Sequence, residues 1–287
     1  MPFDIATLVA HLELEELEVN IFRGASQDIG SGRVYGGQVL AQALVAAGRT
    51  VQPGRLAHSL HSYFILPGDH SAPIVYFVER LRDGKSFTTR RVTAIQHGRA
   101  IFEMSASFQE QEPGIEHQAE MPDVPPPESL PSDVERMRAM MDRLPERSRA
   151  FWTRERPFDW RTVDPADPLQ PTPRAPRRYA WFRAAAPLAS DDLLRHQGVL
   201  AYASDYSLLG TAMLPHALQF TTPGLQAATL DHAMWFHRPF RADEWLLYAT
   251  ESPSASGARG YTRAAVYTRD GRLVASAVQE GLIRLHE

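Results

Sequence analysis

Two segments of the chain are apolar on nearly every side. "GGQVLAQALVAAG" (36–48) and "GVLAYASDYSLLGTAML" (198–214) read as helices, and a helix without a polar face has to be enclosed by other structure. Strands follow each of them. "QHG" (96–98) and "RDG" (269–271) read as hairpin turns, where glycine tolerates a positive φ. Each half of the chain therefore reads helix, strand, strand, hairpin, strand.

The two halves are related. "VLAQA" (39–43) and "VLAYA" (199–203) each continue one of the helices. "YFILP" (63–67) matches "WFHRP" (235–239) at an offset of 172 residues. "GKSFTTRRVTAIQHGR" (84–99) matches "GARGYTRAAVYTRDGR" (257–272) at an offset of 173. The identities there are Gly84, Thr89, Arg90, Gly98 and Arg99 with Gly257, Thr262, Arg263, Gly271 and Arg272. Matches in the same order, with the offset changing in one loop, indicate an internal duplication. Four or five antiparallel strands can curl around each enclosed helix. The expected architecture is α+β, a double hotdog of two tandem antiparallel sheets, each wrapped around a long central helix.

Between the halves the composition changes. Of the 22 prolines, 13 fall between Pro113 and Pro176. "MPDVPPPESLP" and "DPADPLQPTPRAPRR" are unsuited to a regular strand or helix. "SDVERMRAMMDRLPERSRAFW" between them reads as one short helix with Ser132 as N-cap. A connector this long joins units rather than strands within one unit. The expected division is an N-terminal repeat over 1–112, a Pro-rich connector over 113–178 and a C-terminal repeat over 179–287.

Composition narrows the chemistry. The 287 residues are 44% hydrophobic and 22% charged, ordinary for a globular core. A net charge of −4 gives no reason to expect a nucleic-acid surface. The absence of cysteine removes disulfides, thiolate metal sites and a Cys nucleophile. The N-terminus lacks the basic start of a signal peptide, and no apolar run approaches 18 residues. "GSGRVYGG" (30–37) has Tyr35 where a dinucleotide-binding loop needs its third glycine. "DGKS" has Glu79 where a phosphate loop needs its first. There is no G-x-S-x-G nucleophile elbow.

"ATLDHAMWFHRPF" (228–240) invites a metal reading, with Asp231, His232 and His237 in one short run. The aromatic residues and closing Pro239 make it a strand. Asp231 and His232 then face opposite sides, and Asp231 and His237 stand roughly 20 Å apart. One ion with ligands at about 2 Å cannot use them together. No metal or other cofactor is expected.

The duplication supplies its own control for candidate catalytic groups. In the second helix Asp205 stands where the first repeat has Val45. Thr229 stands opposite Ala57, and Gln279, beside the small Ala275 and Ala277, opposite Ala106. A carboxylate among Ala201, Tyr202, Leu208 and Leu209 is costly unless hydrogen-bonded. Three polar replacements of apolar residues, in one repeat only, mark a site.

The chain resembles the acyl-CoA thioesterase II family, double-hotdog enzymes of bacteria and peroxisomes. The resemblance rests on "FRGASQ", "RVYGGQVLAQAL", "HSLHSYFILPGD", "ASDYSLL", "TLDHAMWFHRPFRADEWLLY" and "ASAVQEG", in both halves. It implies an acyl-CoA substrate and an Asp, Thr and Gln site that maps onto Asp205, Thr229 and Gln279. Water activated by Asp205 would attack the thioester, with Thr229 and Gln279 orienting it. Gly37, opening the first helix, is a candidate donor to the oxyanion, and close helix packing is its alternative role. His58, with His61 in a matched motif, is a candidate for binding or catalysis, beside a structural role. A hotdog hydratase or dehydratase, and an acyl-CoA-binding module without catalysis, are the alternative functions. The expected setting is cytoplasmic, since "RLHE" is no peroxisomal address, and a homo-oligomer is the expected assembly.

Overall fold

Alternating inward-facing residues on antiparallel strands build the wall that encloses both apolar helices. A computed structural model describes residues 3–30, 32–144, 146, 149, 153, 156–189 and 191–286. The first half contains α1 (Ile5–Leu12), β1 (Glu15–Glu18), β2 (Ile21–Gly24), α2 (Gly36–Gly48), β3 (Leu56–Phe64), β4 (Ile74–Asp83), β5 (Phe87–Gln96) and β6 (Arg99–Gln109). After α3 (Asp133–Ala139) come β7 (Phe158–Thr162), β8 (Arg177–Ala184), α4 (Leu193–Ser204), α5 (Leu208–Met213), β9 (Leu225–Thr229), β10 (Asp231–Phe236), β11 (Leu246–Ser256), β12 (Arg259–Thr268) and β13 (Leu273–Leu285).

The strands form one antiparallel sheet in the order β1-β2-β4-β5-β6-β3-β10-β13-β12-β11-β8-β7, with β9 also pairing with β13. The halves join where β3 meets β10, from Asp231 opposite Tyr63 to Trp235 opposite Ser59. Helix α2 packs against α4 inside this wall. Along α2 everything from Gly37 to Ala47 is buried, as the apolar pattern requires. Burial of Leu40, Leu44, Val199, Leu200, Phe102 and Phe182 in one continuous cluster supplies the driving force.

The hairpin expected at "QHG" joins β5 to β6 with His97 at φ 50° and Gly98 at φ 73°. Two successive positive φ angles suit the right-handed twist of the flanking strands. The hairpin expected at "RDG" joins β12 to β13 with Gly271 at φ 86°.

Ser132 caps α3: its hydroxyl accepts from the Glu135 N–H, and the Glu135 carboxylate accepts from the Ser132 N–H. This helix ends at Ala139, shorter than the helix read from the sequence, and a 3-10 turn follows at Met141–Arg143. Most of that reading beyond Leu144 lies outside the described residues. The connector range also contains β7, which pairs with β8 at the sheet edge and buries Phe158 and Trp160 on one side. The proline-rich run lies on the second half. Trp181 donates its indole N–H to the Pro125 carbonyl at 2.9 Å, and Tyr267 its hydroxyl to the Glu120 carbonyl at 3.2 Å. Met121, Val124 and Leu130 cover a second apolar cluster of Trp181, Trp245, Leu247 and Tyr267. Among the described residues no helix is long and apolar enough to cross a membrane.

Candidate active site

The second central helix is interrupted where its sequence turns polar. The apolar pattern predicts a continuous helix over 198–214, with Asp205 inside it. Instead α4 ends at Ser204, Asp205 caps it, and helix resumes only at Leu208. The physical reason lies in "SDYS" (204–207): Ser and Asp compete for backbone hydrogen bonds and favour helix ends. The Ser204 carbonyl accepts from the Tyr248 hydroxyl at 2.6 Å. Asp205 thus closes the helix, its own backbone still at φ −77° and ψ −5°, and sits partly accessible at the break.

Three candidate residues meet there. Gln279 donates from Nε2 to Asp205 Oδ1 at 2.6 Å and to Thr229 Oγ1 at 3.0 Å. Thr229 donates its hydroxyl to the same Asp205 oxygen at 3.3 Å. The side chains come from the helix break, the end of β9 and the middle of β13. The kink between β9 and β10 lets Thr229 reach Gly281 while Ala233 pairs with Val278. With Nε2 committed twice, the amide orientation of Gln279 is set, because turning it would aim an oxygen at a carboxylate. Its Oε1 is buried and accepts no hydrogen bond within the described residues.

The first repeat supplies the opposite wall. The Gly37 N–H faces the Asp205 carboxylate and favours its ionised form, at the N-terminus of α2, where the helix dipole favours negative charge. A Cβ on Gly36 would lie 2.7 Å from Asp205 Oδ2, and one on Gly37 would lie 2.4 Å from the Tyr202 carbonyl oxygen. Only glycines let this helix end approach so closely. Burial raises the Asp205 pKa to about 6, against the opposing pull of Gln279, Thr229 and the Gly37 N–H. Loss of hydration outweighs these neutral donors.

The other candidates are placed elsewhere. His58 Nε2 lies 2.8 Å from Ser107 Oγ, with the Phe87 ring against the imidazole. His61 is exposed and packs edge-on against Trp235. Asp231 accepts the Glu280 N–H at 2.7 Å, and His237 Nε2 lies 2.9 Å from Ser276 Oγ. His232 is fully buried on the other side of β10 from Asp231, beside Ser204. Among the described residues no three His, Asp or Glu side chains form a cluster suited to a metal ion.

Sequence reasoning missed Tyr35, partly buried, and Tyr248, fully buried, two phenols whose pKa values are raised well above the ordinary range by desolvation, with Asp205 adding to the effect. Tyr248 could not be flagged by comparing the repeats, because its counterpart at the offset of 172 is Tyr76.

Comparison with known proteins agrees with this architecture. A family model described as acyl-CoA thioesterase matches residues 149–282, and one described as acyl-CoA thioesterase N-terminal domain matches residues 24–109. Acyl-CoA thioesterase 2 of Haemophilus influenzae is 42% identical over 287 residues, covering 99% of each chain. The crystal structure of an acyl-CoA thioesterase II from Mycobacterium marinum superposes with a TM-score of 0.80 at 47% identity, over 98% of this chain and 99% of that one. A conserved hot dog fold protein of unknown function from Alicyclobacillus acidocaldarius shares the fold, with a TM-score of 0.76 at 19% identity over 98% of both chains. Two family models in tandem and a full-length relative at this identity place the chain in the acyl-CoA thioesterase family.

Proposed function

We propose that this chain hydrolyses acyl-CoA thioesters to free acid and CoA by direct attack of water, with Asp205 as the general base. The reading is carried by one observation: Asp205, Thr229 and Gln279 converge on each other at the helix break, where the first repeat has only apolar residues. A thioester is already activated, so no covalent enzyme intermediate is required. Asp205 accepts one proton of the water. With Oδ1 fixed by Gln279 and Thr229, the carboxylate holds one orientation and aims the water oxygen at the acyl carbon. Thr229 and the Gln279 amide hold the Asp205 oxygen in place. The water oxygen bonds to the carbonyl carbon, the C–S bond then breaks, and the proton held by Asp205 passes to the leaving sulfur. Gly37 serves this scheme by stabilising the ionised carboxylate.

A carboxylate with a pKa of about 6 is mostly ionised at neutral pH and still basic enough to take a proton. The hydratase alternative calls for an Asp–His pair, whereas Asp205 is hydrogen-bonded by Thr229 and Gln279. The outer face of the sheet in the first half leaves Phe77 and Tyr63 exposed in one cross-strand row through Thr93 and Glu103, which supports assembly into a homo-oligomer. The test of function is thiol release from a series of acyl-CoA chain lengths, with and without a chelator. Turnover unaffected by chelation is expected. Activity lost to the chelator and restored by zinc would overturn the mechanism.

A further inference from the structure

The second repeat carries two more polar residues in places where the first is apolar, and the scheme above does not use them. At the helix offset of 160, Ser204 corresponds to Leu44; at the strand offset of 172, His232 corresponds to Leu60. Leu44 and Leu60 are fully buried, and so are Ser204 and His232, at 1% and 0% exposure. The two polar residues touch: His232 Nε2 lies 3.0 Å from Ser204 Oγ. The Ser204 hydroxyl has two further acceptors, the Ala201 carbonyl at 2.8 Å and Met234 Sδ at 3.3 Å, and donating to either leaves its oxygen to accept from the imidazole. That places the proton on His232 Nε2 and leaves the buried Nδ1 without a donor. The His232 carbonyl is tied across the seam by the Ser62 hydroxyl at 2.7 Å. Burial holds the imidazole neutral, with a pKa of about 3, so it neither titrates nor shuttles protons near neutral pH.

Leucine would fill this space without orphaning a nitrogen. The pair therefore costs stability, and its effect falls on Ser204, the last residue of α4 before Asp205. Tyr248 acts on the same residue, donating to the Ser204 carbonyl at 2.6 Å. Had the helix continued, that carbonyl would have accepted from the N–H four residues on. The counterpart, Tyr76, instead donates to the Gln42 side chain at 2.6 Å, and α2 runs unbroken past Val45 to Gly48.

We propose that His232 and Ser204 are positioning residues, which together with Tyr248 stop α4 at Asp205 so that its carboxylate meets Thr229 and Gln279 and faces Gly37. The inference rests on Asp205 as the base, so Asp205→Asn is run in parallel. The deciding variant is Ser204→Leu/His232→Leu, which installs the first repeat's own residues. It should fold with a Tm equal to or above that of the parent, while kcat falls at least tenfold and KM stays within threefold. The acidic limb of the kcat profile should move, because the carboxylate has left its donors. His232→Gln, which keeps a donor near the position of Nε2, should recover kcat to within about threefold of the parent. A folded double variant with parental kcat and acidic limb overturns the proposal. If the double variant does not fold, Ser204→Ala decides: a fivefold or greater loss of kcat at constant KM supports the proposal, and a smaller loss overturns it. If Asp205→Asn itself keeps parental turnover, the functional reading fails instead, which these outcomes distinguish.

Discussion

The same position in the two repeats is a catalytic candidate in one and a plug in the other. At the break after α4, Asp205 meets Thr229 and Gln279 and faces the glycine-rich start of α2. In the first repeat, Val45, Ala57 and Ala106 occupy the matching places with 7%, 2% and 2% exposure. There Val45 packs toward Gly198, whose Cβ would lie 3.1 Å from a Val45 methyl. Gln197, the counterpart of Gly37, donates its amide to the Ala57 carbonyl at 2.7 Å. One fold thus accommodates either an apolar contact or a carboxylate hydrogen-bonded by Thr229 and Gln279. The difference lies in whether the helix runs through or stops. The closed copy shows that the polar trio is not needed to build a repeat, which strengthens a catalytic reading of the open one.

The largest effect that can test this contrast comes from removing the base. Asp205→Asn keeps the shape, and kcat should fall by about 10²–10⁴-fold with little change in KM; steady-state thiol release measures both. A folded variant with near-parental turnover would make Asp205 a structural residue like Val45. Thr229→Ala and Gln279→Ala each delete a hydrogen bond to a charged group. Each should lower kcat by about tenfold to a hundredfold. Neither loss should add to that of Asp205→Asn, because groups acting as a unit are lost together. Additive losses in the double variants would separate the three residues.

A smaller effect is read from pH. With the Asp205 pKa at about 6, kcat/KM should lose about tenfold per pH unit below that value and level off above it. A profile flat from pH 4 to 8 would contradict the assignment. The same shift has a stability sign. Burial raises the folded pKa above the ordinary 3.8, so the folded state holds the proton more tightly. The stabilisation is full below about pH 4 and is lost as pH rises through about 6. Asp205→Asn should therefore raise Tm at pH 7.5 relative to the parent by more than at pH 4, with about 3 kcal/mol as the upper bound from a shift of this size. The smallest effect on turnover belongs to the closed copy. Ala106→Val overpacks a filled core and should cost about 1–3 kcal/mol of stability with kcat unchanged within about threefold. A large kcat loss in a folded variant would show that the first repeat also contributes to catalysis.

Much of this was legible in the sequence because duplication makes the chain its own reference. The two enclosed helices, both hairpin turns and the mismatched Asp205, Thr229 and Gln279 all follow from pattern and offset. The helix break had a local signal in "SDYS", but the apolar residues on either side keep helical spacing through it and outweigh that signal in the pattern. Strand β7 was hidden by the prolines around it, although Phe158 and Trp160 alternate with polar neighbours.

Local periodicity and composition determined the elements, the repeat and the polar residues that needed a reason, because these depend on neighbours close along the chain. The tertiary structure alone decided what each polar residue meets. It brought the Gly37 N–H to a carboxylate 168 residues away, took the Ser204 carbonyl with Tyr248, and set His58 against Ser107 instead of the trio. Such contacts depend on sheet register and on the approach of one helix end to the break in another helix, and no short stretch of sequence encodes either.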